Sequence, residues 1–410
     1  MTPTRTRNPF TPGSGKSPPY LAGRENEQNR LREILADMAD GDSPAADMVM
    51  YGPRGMGKTV LLRWLKVEIG GNKKLIHFYK KRNSVRACST TANKLATPAK
   101  MWTFLLSEET LAEKVLGGET TAGVKAGASA ADTVSAEAFI AKTWKEKEPT
   151  DGVLLNALIS QCKKNPLVAL VDEAHTMEPG LCRSLLNLSQ EVREEAPFLL
   201  VLAGTPGLSH FLTTVGASFV GRSEKMGIAR LDAQATADAI VKPLQEDGIT
   251  VDADALEHVV EDSQHYPYFI QLWGEALWDV AKQKDLQKLT AQEITEVETK
   301  IENRRLNFYG ERRATLDDLE LLPAAVAIAT IFQDTEITTR DRLKEIIADN
   351  LPVDSHATQS VNEHLRTLIR HEFIWNPPDT DLYEAGIPSL MKYVLDRQRE
   401  HVQETSPAAE

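Results

Sequence analysis

The stretch Gly52-Pro53-Arg54-Gly55-Met56-Gly57-Lys58-Thr59 constrains this chain more than any other. It satisfies G-x-x-x-x-G-K-[ST] in full. The apolar run "DMVMYG" leads into it and the helix pattern "VLLRWLKVEI" follows. A strand that turns through glycines into a helix leaves a ring of backbone amides at a helix N-terminus, and such a ring attracts phosphate. The spacing predicts that Lys58 reaches the β- and γ-phosphates of a nucleotide and that Thr59 turns its hydroxyl toward Mg2+. Val60, the next residue, completes the nucleotide-binding set.

A second Gly-Lys-Ser occurs in "PGSGKSPP", residues 12–19, and it fails the same pattern. Phe10 stands where the first glycine belongs. Pro18 and Pro19 have no amide hydrogen to offer a following helix. No apolar strand precedes it. Residues 1–20, rich in Pro, Thr, Gly and Ser, read as a flexible arm, and Lys16 is expected to play no part in nucleotide binding.

The rest of a phosphate site is legible further on. In "LVALVDEAH", Leu167–Val171 is continuously apolar, as suits a strand covered on both faces of a parallel sheet. Asp172 leaves that strand where it can hold a metal's shell, and Glu173 is placed to polarise water as a general base. Thr205, in "LAGTP" at the end of another buried run, is the candidate γ-phosphate sensor. Arg222, in "FVGRSEK", is positioned to complete a neighbouring copy's site. The letters Asp-Glu-Ala-His also spell a helicase box. A helicase of that kind needs two cores and an arginine-rich last motif, for which the chain has no room.

Strand patterns alternate with helix patterns up to about residue 232, which indicates an α/β domain with a parallel sheet. "KLIHFY" reads as its second strand, "LGGETTAGVKAGASAADTVS" as a mobile insertion and "KMGIARL" as a last strand. From Asp232 the pattern is helical. "LLPAAVAIATIF", "TRDRLKEIIADNL" and "SVNEHLRTLIR" are three further helices, and "HEFIWNPPDTDLYEAGIP" reads as a hairpin, the outline of a winged helix-turn-helix. The expected division is an arm at 1–20, a nucleotide-binding α/β domain at 21–232, a helical lid at 233–315, a winged helix at 316–400 and a tail at 401–410.

"PPYLAGRENEQNRL", the phosphate loop, "LVDEAH", "LAGTPGL" and "HYPYFIQLWGEAL", in this order, resemble AAA+ ATPases. More closely they are similar to bacterial Orc-like or archaeal-type ATPases at the border of the origin-recognition and STAND clades. The resemblance spans about residues 8–400. It implies a P-loop NTPase fold with a lid and a winged helix, ATP and Mg2+ as ligands, and ATP hydrolysis. It places the segment of Tyr20 and Arg24 near the adenine and gives Pro267 a contact with the base. The chain departs from the origin-recognition pattern in the lid. There "HYPYF" stands where a second sensor arginine belongs, which moves the chain toward the STAND side.

Charge separates the readings of function. The chain carries a formal net charge of −12, which opposes a protein that coats nucleic acid over its whole surface. Yet Lys73, Lys74, Lys80, Lys81, Arg82, Arg86, Lys94 and Lys100 fall together in a stretch without acidic residues. That cluster, with Arg366 and Arg370, allows an ATP-dependent switch that self-assembles and acts on double-stranded DNA. The acidic C-terminal part favours instead a STAND-like regulator whose winged helix contacts protein. "AGTPGL" and the overall layout leave room for a transposition regulator. No apolar run reaches the roughly 18 residues of a membrane span. Cys88, Cys162 and Cys182 have no metal-site or redox spacing, and a cytoplasmic location is expected.

Overall fold

The computed structural model describes residues 7–71, 84–107, 110, 151–216, 220–350, 358–377 and 380–405. Five strands, β1 (Met48–Tyr51), β2 (Arg86–Thr91), β3 (Leu167–Asp172), β4 (Phe198–Gly204) and β5 (Glu224–Gly227), form one parallel sheet in the order β2-β3-β4-β1-β5. After β1 the chain crosses to the far edge, returns strand by strand to β4, and places β5 on the free side of β1. All carboxyl ends therefore face one way, and ligands of open α/β sheets bind at that edge.

Strand periodicity divides the core in two. Met48, Met50, Val168, Leu170, Leu199 and Val201 enter one apolar cluster with helices α1 (Glu25–Asp40) and α2 (Lys58–Gly71). Val49, Tyr51, Ala169, Val171, Leu200 and Leu202 enter the other, with α3 (Pro98–Leu105), α4 (Asp151–Lys164), α5 (Pro179–Glu195) and α6 (Leu208–Val215). β3 and β4 are buried at every position, as continuously apolar runs require.

"KLIHFY" and the glycine-rich insertion lie outside the described residues, as do Lys73, Lys74, Lys80, Lys81 and Arg82. The described edge strand is "RACSTT", paired with β3 from Arg86 opposite Leu167 to Thr91 opposite Asp172. It is half-exposed and carries no apolar run, so its sequence gives no strand signal. The free cysteines are Cys88, half-buried on this strand, and Cys162 and Cys182, both buried, and burial pushes all three thiols up to about 12.

A helical unit follows, built from α7 (Ala233–Glu246), α8 (Ala253–Asp262) and α9 (Pro267–Gln283), with the two-residue strands β6 (Thr250–Val251) and β7 (Lys288–Leu289). Pro267 occupies the first turn of α9, where its missing amide hydrogen costs nothing. Helix α10 (Ala291–Asp318) starts at a Thr290/Glu293 capping box and runs 28 residues, about 42 Å, into the C-terminal unit. That unit contains α11 (Leu322–Ile331), α12 (Arg340–Asp349), α13 (Thr358–Arg370) and α14 (Pro388–Thr405). Its antiparallel sheet places β10 (Leu382–Ala385) between β8 (Ile337–Thr339) and β9 (Ile374–Trp375). β8 and α14 were not expected, and α14 reaches halfway into the expected tail.

Residues 7–20 are docked rather than free. Phe10 is 1% exposed and packs against Gly274 of α9, where a Cβ would fall 2.2 Å from its ring. Asn8 Nδ2 donates to Glu275 O (3.0 Å) and Asp279 Oδ1 (2.8 Å), and Thr11 N donates to Gln271 Oε1 (3.2 Å). Because α9 is held by its own core, the arm is held with it. Gly274→Ala is expected to displace Phe10, costing about 1–3 kcal/mol as overpacking does. The check is a lower Tm together with faster tryptic cleavage after Lys16; an unchanged cleavage rate would show that the arm is not seated through Phe10.

Candidate functional site

The loop Gly52–Thr59 joins the carboxyl end of β1 to the first turn of α2. Gly55 adopts φ +85°, with the Tyr266 ring 2.9 Å from where a Cβ would sit, so both backbone and space demand glycine. Lys58 is 5% exposed, and its Nζ donates to Gly52 O (2.7 Å) and Pro53 O (2.8 Å). Burial pulls its pKa down, and the carboxylates of Glu372, Glu173 and Asp172 oppose that shift.

Thr59 Oγ1 donates to Asp172 Oδ2 at 2.6 Å, joining the loop to the end of β3. Asp172 Oδ1 accepts from Glu173 N at 3.0 Å. A hydroxyl and a carboxylate side by side are hard oxygen donors of the kind a Mg2+ ion takes from protein, with phosphate and water supplying the rest. Among the described residues no cluster of three His, Cys, Asp or Glu side chains gathers to hold a metal. An ion that uses one or two protein ligands needs none.

Glu173 has left-handed backbone, φ 54° and ψ 35°, unusual for a residue with a side chain and typical of functional turns. Its carboxylate lies 3.5 Å from His175 Nε2, and His175 Nδ1 lies 3.5 Å from Thr205 N at the end of β4. Thr205 is 1% exposed, and its Oγ1 has no hydrogen-bond partner among the described residues. Glu173, His175 and Thr205 thus form a row across the ends of β3 and β4. The sequence reading used His175 only as a letter of the helicase box. Its spacing from Glu173 on a tight turn was the available signal.

Lys58, Thr59 and Glu173 line a cavity of about 450 Å³, within the range of small-molecule sites, and Asp172, His175 and Thr205 lie behind them. Five cations line it (Lys16, Arg24, Arg54, Lys58, Arg312) against two acids, Glu173 and Glu311. In a chain of net charge −12 this local excess points to an anionic ligand. Tyr20 and Pro267 line the same cavity beside Leu21, Leu231 and Ile270. Arg24 is spent on bracing: it is 5% exposed, and its Nη2 donates to Met56 O (3.1 Å) and Ala229 O (2.6 Å). Arg222 is exposed and precedes β5, whose Glu224 pairs with Met48 and Gly227 with Tyr51. It therefore sits at the sheet end opposite its own loop.

Sequence reasoning missed two contributors. Arg312, from α10, stacks 3.7 Å over the Phe308 ring and lines the cavity, so a cation from this long helix stands there although "HYPYF" supplies none. Glu372, just past α13, is buried with φ +63°. Its Oε2 accepts from Arg54 N at 2.8 Å, Oε1 lies 3.3 Å from Arg54 Nε, and Arg312 Nη2 lies 3.9 Å from Oε2. The C-terminal unit thereby places a carboxylate on the phosphate loop. Tyr266 also donates to Arg54 O. Partners 318 residues apart leave no local trace in a sequence. The same unit seats α13 on the nucleotide domain, since a Cβ at Gly207 would lie 3.4 Å from Arg370 Cα.

Residues 20–204 match the AAA ATPase domain family. The whole fold is similar to the ORC2 protein of Aeropyrum pernix in its ADPNP–ADP complexes, with a TM-score of 0.58 and 13% identity over 98% of this chain and 100% of that one. It is also similar to a Walker-type ATPase of Pyrococcus abyssi, with a TM-score of 0.55 and 15% identity over 92% and 96% of the two chains. At these identities the likeness is one of fold. No curated protein sequence matches the chain significantly. No helix among the described residues is long and apolar enough to cross a membrane.

Burial holds His175 below the ordinary histidine value of 6.5, with Glu173 and Asp172 raising it and Arg54 and Lys58 lowering it. The folded chain resists this proton more than the unfolded chain does. The stability from neutral His175 is therefore fully present above 6.5 and is lost as pH falls from there through the lowered folded value. His210 and His371, also lowered first by burial, act in the same direction. His175→Gln is expected to flatten the fall of Tm between about pH 7 and 5.5; identical slopes for mutant and wild type would show that His175 does not titrate in this way.

Proposed function

We propose, from the AAA ATPase domain that residues 20–204 form, that this chain binds ATP with Mg2+, hydrolyses it, and uses the bound state as a switch for self-association. The observation that carries this reading is the Thr59–Asp172 hydrogen bond, with Lys58 and Glu173 on either side of it at the carboxyl ends of the strands. Thr59 and Asp172 would hold the Mg2+ ion, which neutralises charge on the β- and γ-oxygens. The loop amides and Lys58 bind and orient the phosphates. Glu173 takes the proton of the attacking water. His175, neutral because it is buried, directs Nε2–H at the Glu173 carboxylate and holds it in place. The Thr205 hydroxyl, unpaired and buried at the end of β4, is available to the γ-phosphate or the water.

Arg222 belongs to a neighbour in this reading. It is exposed at the end of the sheet away from its own loop, so it can complete a site only in a second copy, through a heterologous contact.

A regulatory role through protein contacts is favoured over DNA binding by two observations. α13, which carries Arg366 and Arg370, is seated on the α/β domain, and both arginines face Glu363, at 3.3 and 3.4 Å. Reading the C-terminal helices and three-stranded sheet as a winged helix, its exposed surface would serve a protein partner. Its Glu372 contact with Arg54 would report nucleotide state, because phosphate and carboxylate compete for the same cationic loop.

Glu173→Gln is expected to lower ATP turnover by about 100-fold or more, with ATP affinity within about threefold of wild type. Near-normal turnover would remove Glu173 from the chemistry. In the Glu173→Gln background, light scattering with saturating ATP is expected to show assemblies that Arg222→Ala abolishes. A monomer with ATP, or assembly indifferent to Arg222, would overturn the shared-site reading.

A further inference from the structure

The stretch "PGSGKSPP" fails as a phosphate loop, yet it lies on one. Gly15 faces Thr59, and a Cβ there would come within 3.3 Å of Thr59 Cγ2. Arg63 of α2 donates to Gly15 O. The turn is fixed internally: Ser14 Oγ donates to Thr11 O (2.8 Å) and accepts from Lys16 N (3.2 Å). Gly13 and Gly15 take the left-handed backbone that this turn requires, φ 72° and 61°. Phe10 and Thr11 tie the turn to α9 on one side and Gly15 ties it to α2 on the other, so it bridges lid and nucleotide domain. Lys16 lines the same cavity as Lys58 and Glu173.

The two lysines differ in state. The Lys58 ammonium is buried and already donates to Gly52 O and Pro53 O. Lys16 is exposed and makes no ion pair among the described residues, so its charge is uncommitted. A full phosphate loop supplies amides and a cation together. The arm supplies only a cation, which needs neither a preceding strand nor a following helix, so the missing first glycine and the two prolines do not bear on it. Pro18 and Pro19 fix the chain as it leaves the cavity.

We propose that Lys16 is a phosphate-binding residue of this site, closing over the phosphate chain of a bound nucleoside di- or triphosphate opposite the loop. The proposal rests on the nucleotide reading above and adds to it a ligand from the arm, on a stretch whose sequence denies it that role. The four-carbon stem of lysine delivers a compact charge without demanding bidentate geometry, which suits a group that reaches in from a surface turn.

Calorimetric titration of the full chain with Mg-ATP and with Mg-ADP tests it. Lys16→Ala is expected to weaken both by about fivefold to tenfold and to flatten the dependence of affinity on ionic strength. Lys16→Arg, which keeps the charge, is expected to stay within about twofold of wild type. Unchanged affinity and salt dependence in Lys16→Ala would overturn the proposal, as would failure of Lys16→Arg to restore them. Lys58→Ala separates the two readings. If it abolishes binding while Lys16→Ala does nothing, the nucleotide site stands and the arm's part in it falls; if the wild-type chain binds neither nucleotide, both fall.

Discussion

A buried ammonium group organises this molecule. Lys58 would not stay charged in an apolar interior without partners, because desolvation penalises the ion by several kcal/mol. Each answer to that penalty comes from a different element. The loop turns two of its own carbonyls inward, β3 ends in Asp172 with Glu173 on the turn beyond, and the C-terminal unit adds Glu372. Around that centre the loop is clamped from outside. Arg24 grips Met56 O, Tyr266 grips Arg54 O, and Glu372 holds the Arg54 amide. A phosphate entering the loop would meet a cation held by two loop carbonyls and a backbone already bent to receive it.

This arrangement ties the three units of the chain to one short segment. Helix α10 passes from the helical unit into the C-terminal unit and on its way places Phe308 and Arg312 at the cavity wall. Tyr309, one residue on, bonds Ser389 of α14 at 2.6 Å. Trp375 of β9 packs edge-on to Tyr51, the last residue of β1, with centroids 6.5 Å apart. A shift of the C-terminal unit cannot leave the loop untouched, since Trp375 and Glu372 lie on either side of the β1–loop junction. Coupling of this kind needs no long pathway, because both ends of it are contacts with the same few residues.

What the sequence showed and what it hid divide along a physical line. The loop, Asp172, Glu173 and the buried strands β3 and β4 are local or fully apolar, so pattern alone reveals them. β2 escaped because an edge strand with one half-solvated face needs no apolar run; its identity depends on the ladder with β3. β8 is three residues long and exists only by pairing with β10. Glu372 and Arg312 escaped for a stronger reason. A glutamate after a helix and an arginine within one are ordinary until tertiary packing brings them to Arg54, and no periodicity encodes that meeting. Arg24 was legible as part of the site, but its use as a brace for the loop was not.

The N-terminal arm shows why failing a motif is a narrower result than it looks. A pattern such as G-x-x-x-x-G-K-[ST] tests whether one segment can build a site from its own backbone. It does not test whether a segment is built into a site made elsewhere. Fixing a residue's backbone costs about 1–2 kcal/mol, so residues 7–20 stay ordered only if their contacts offset that cost. Phe10 buried against Gly274 is the main apolar anchor, and the hydrogen bonds from Asn8 and Thr11 add to it. Those partners all lie on α9, whose first residues, Pro267 and Tyr268, also line the cavity. The arm is therefore joined to α9 at one end, while Arg63 of α2 holds Gly15 O at the other. The Gly-Ser-Gly-Lys turn spans the two, and its position over Thr59 is set by how α9 and α2 are placed rather than by the arm's own sequence alone.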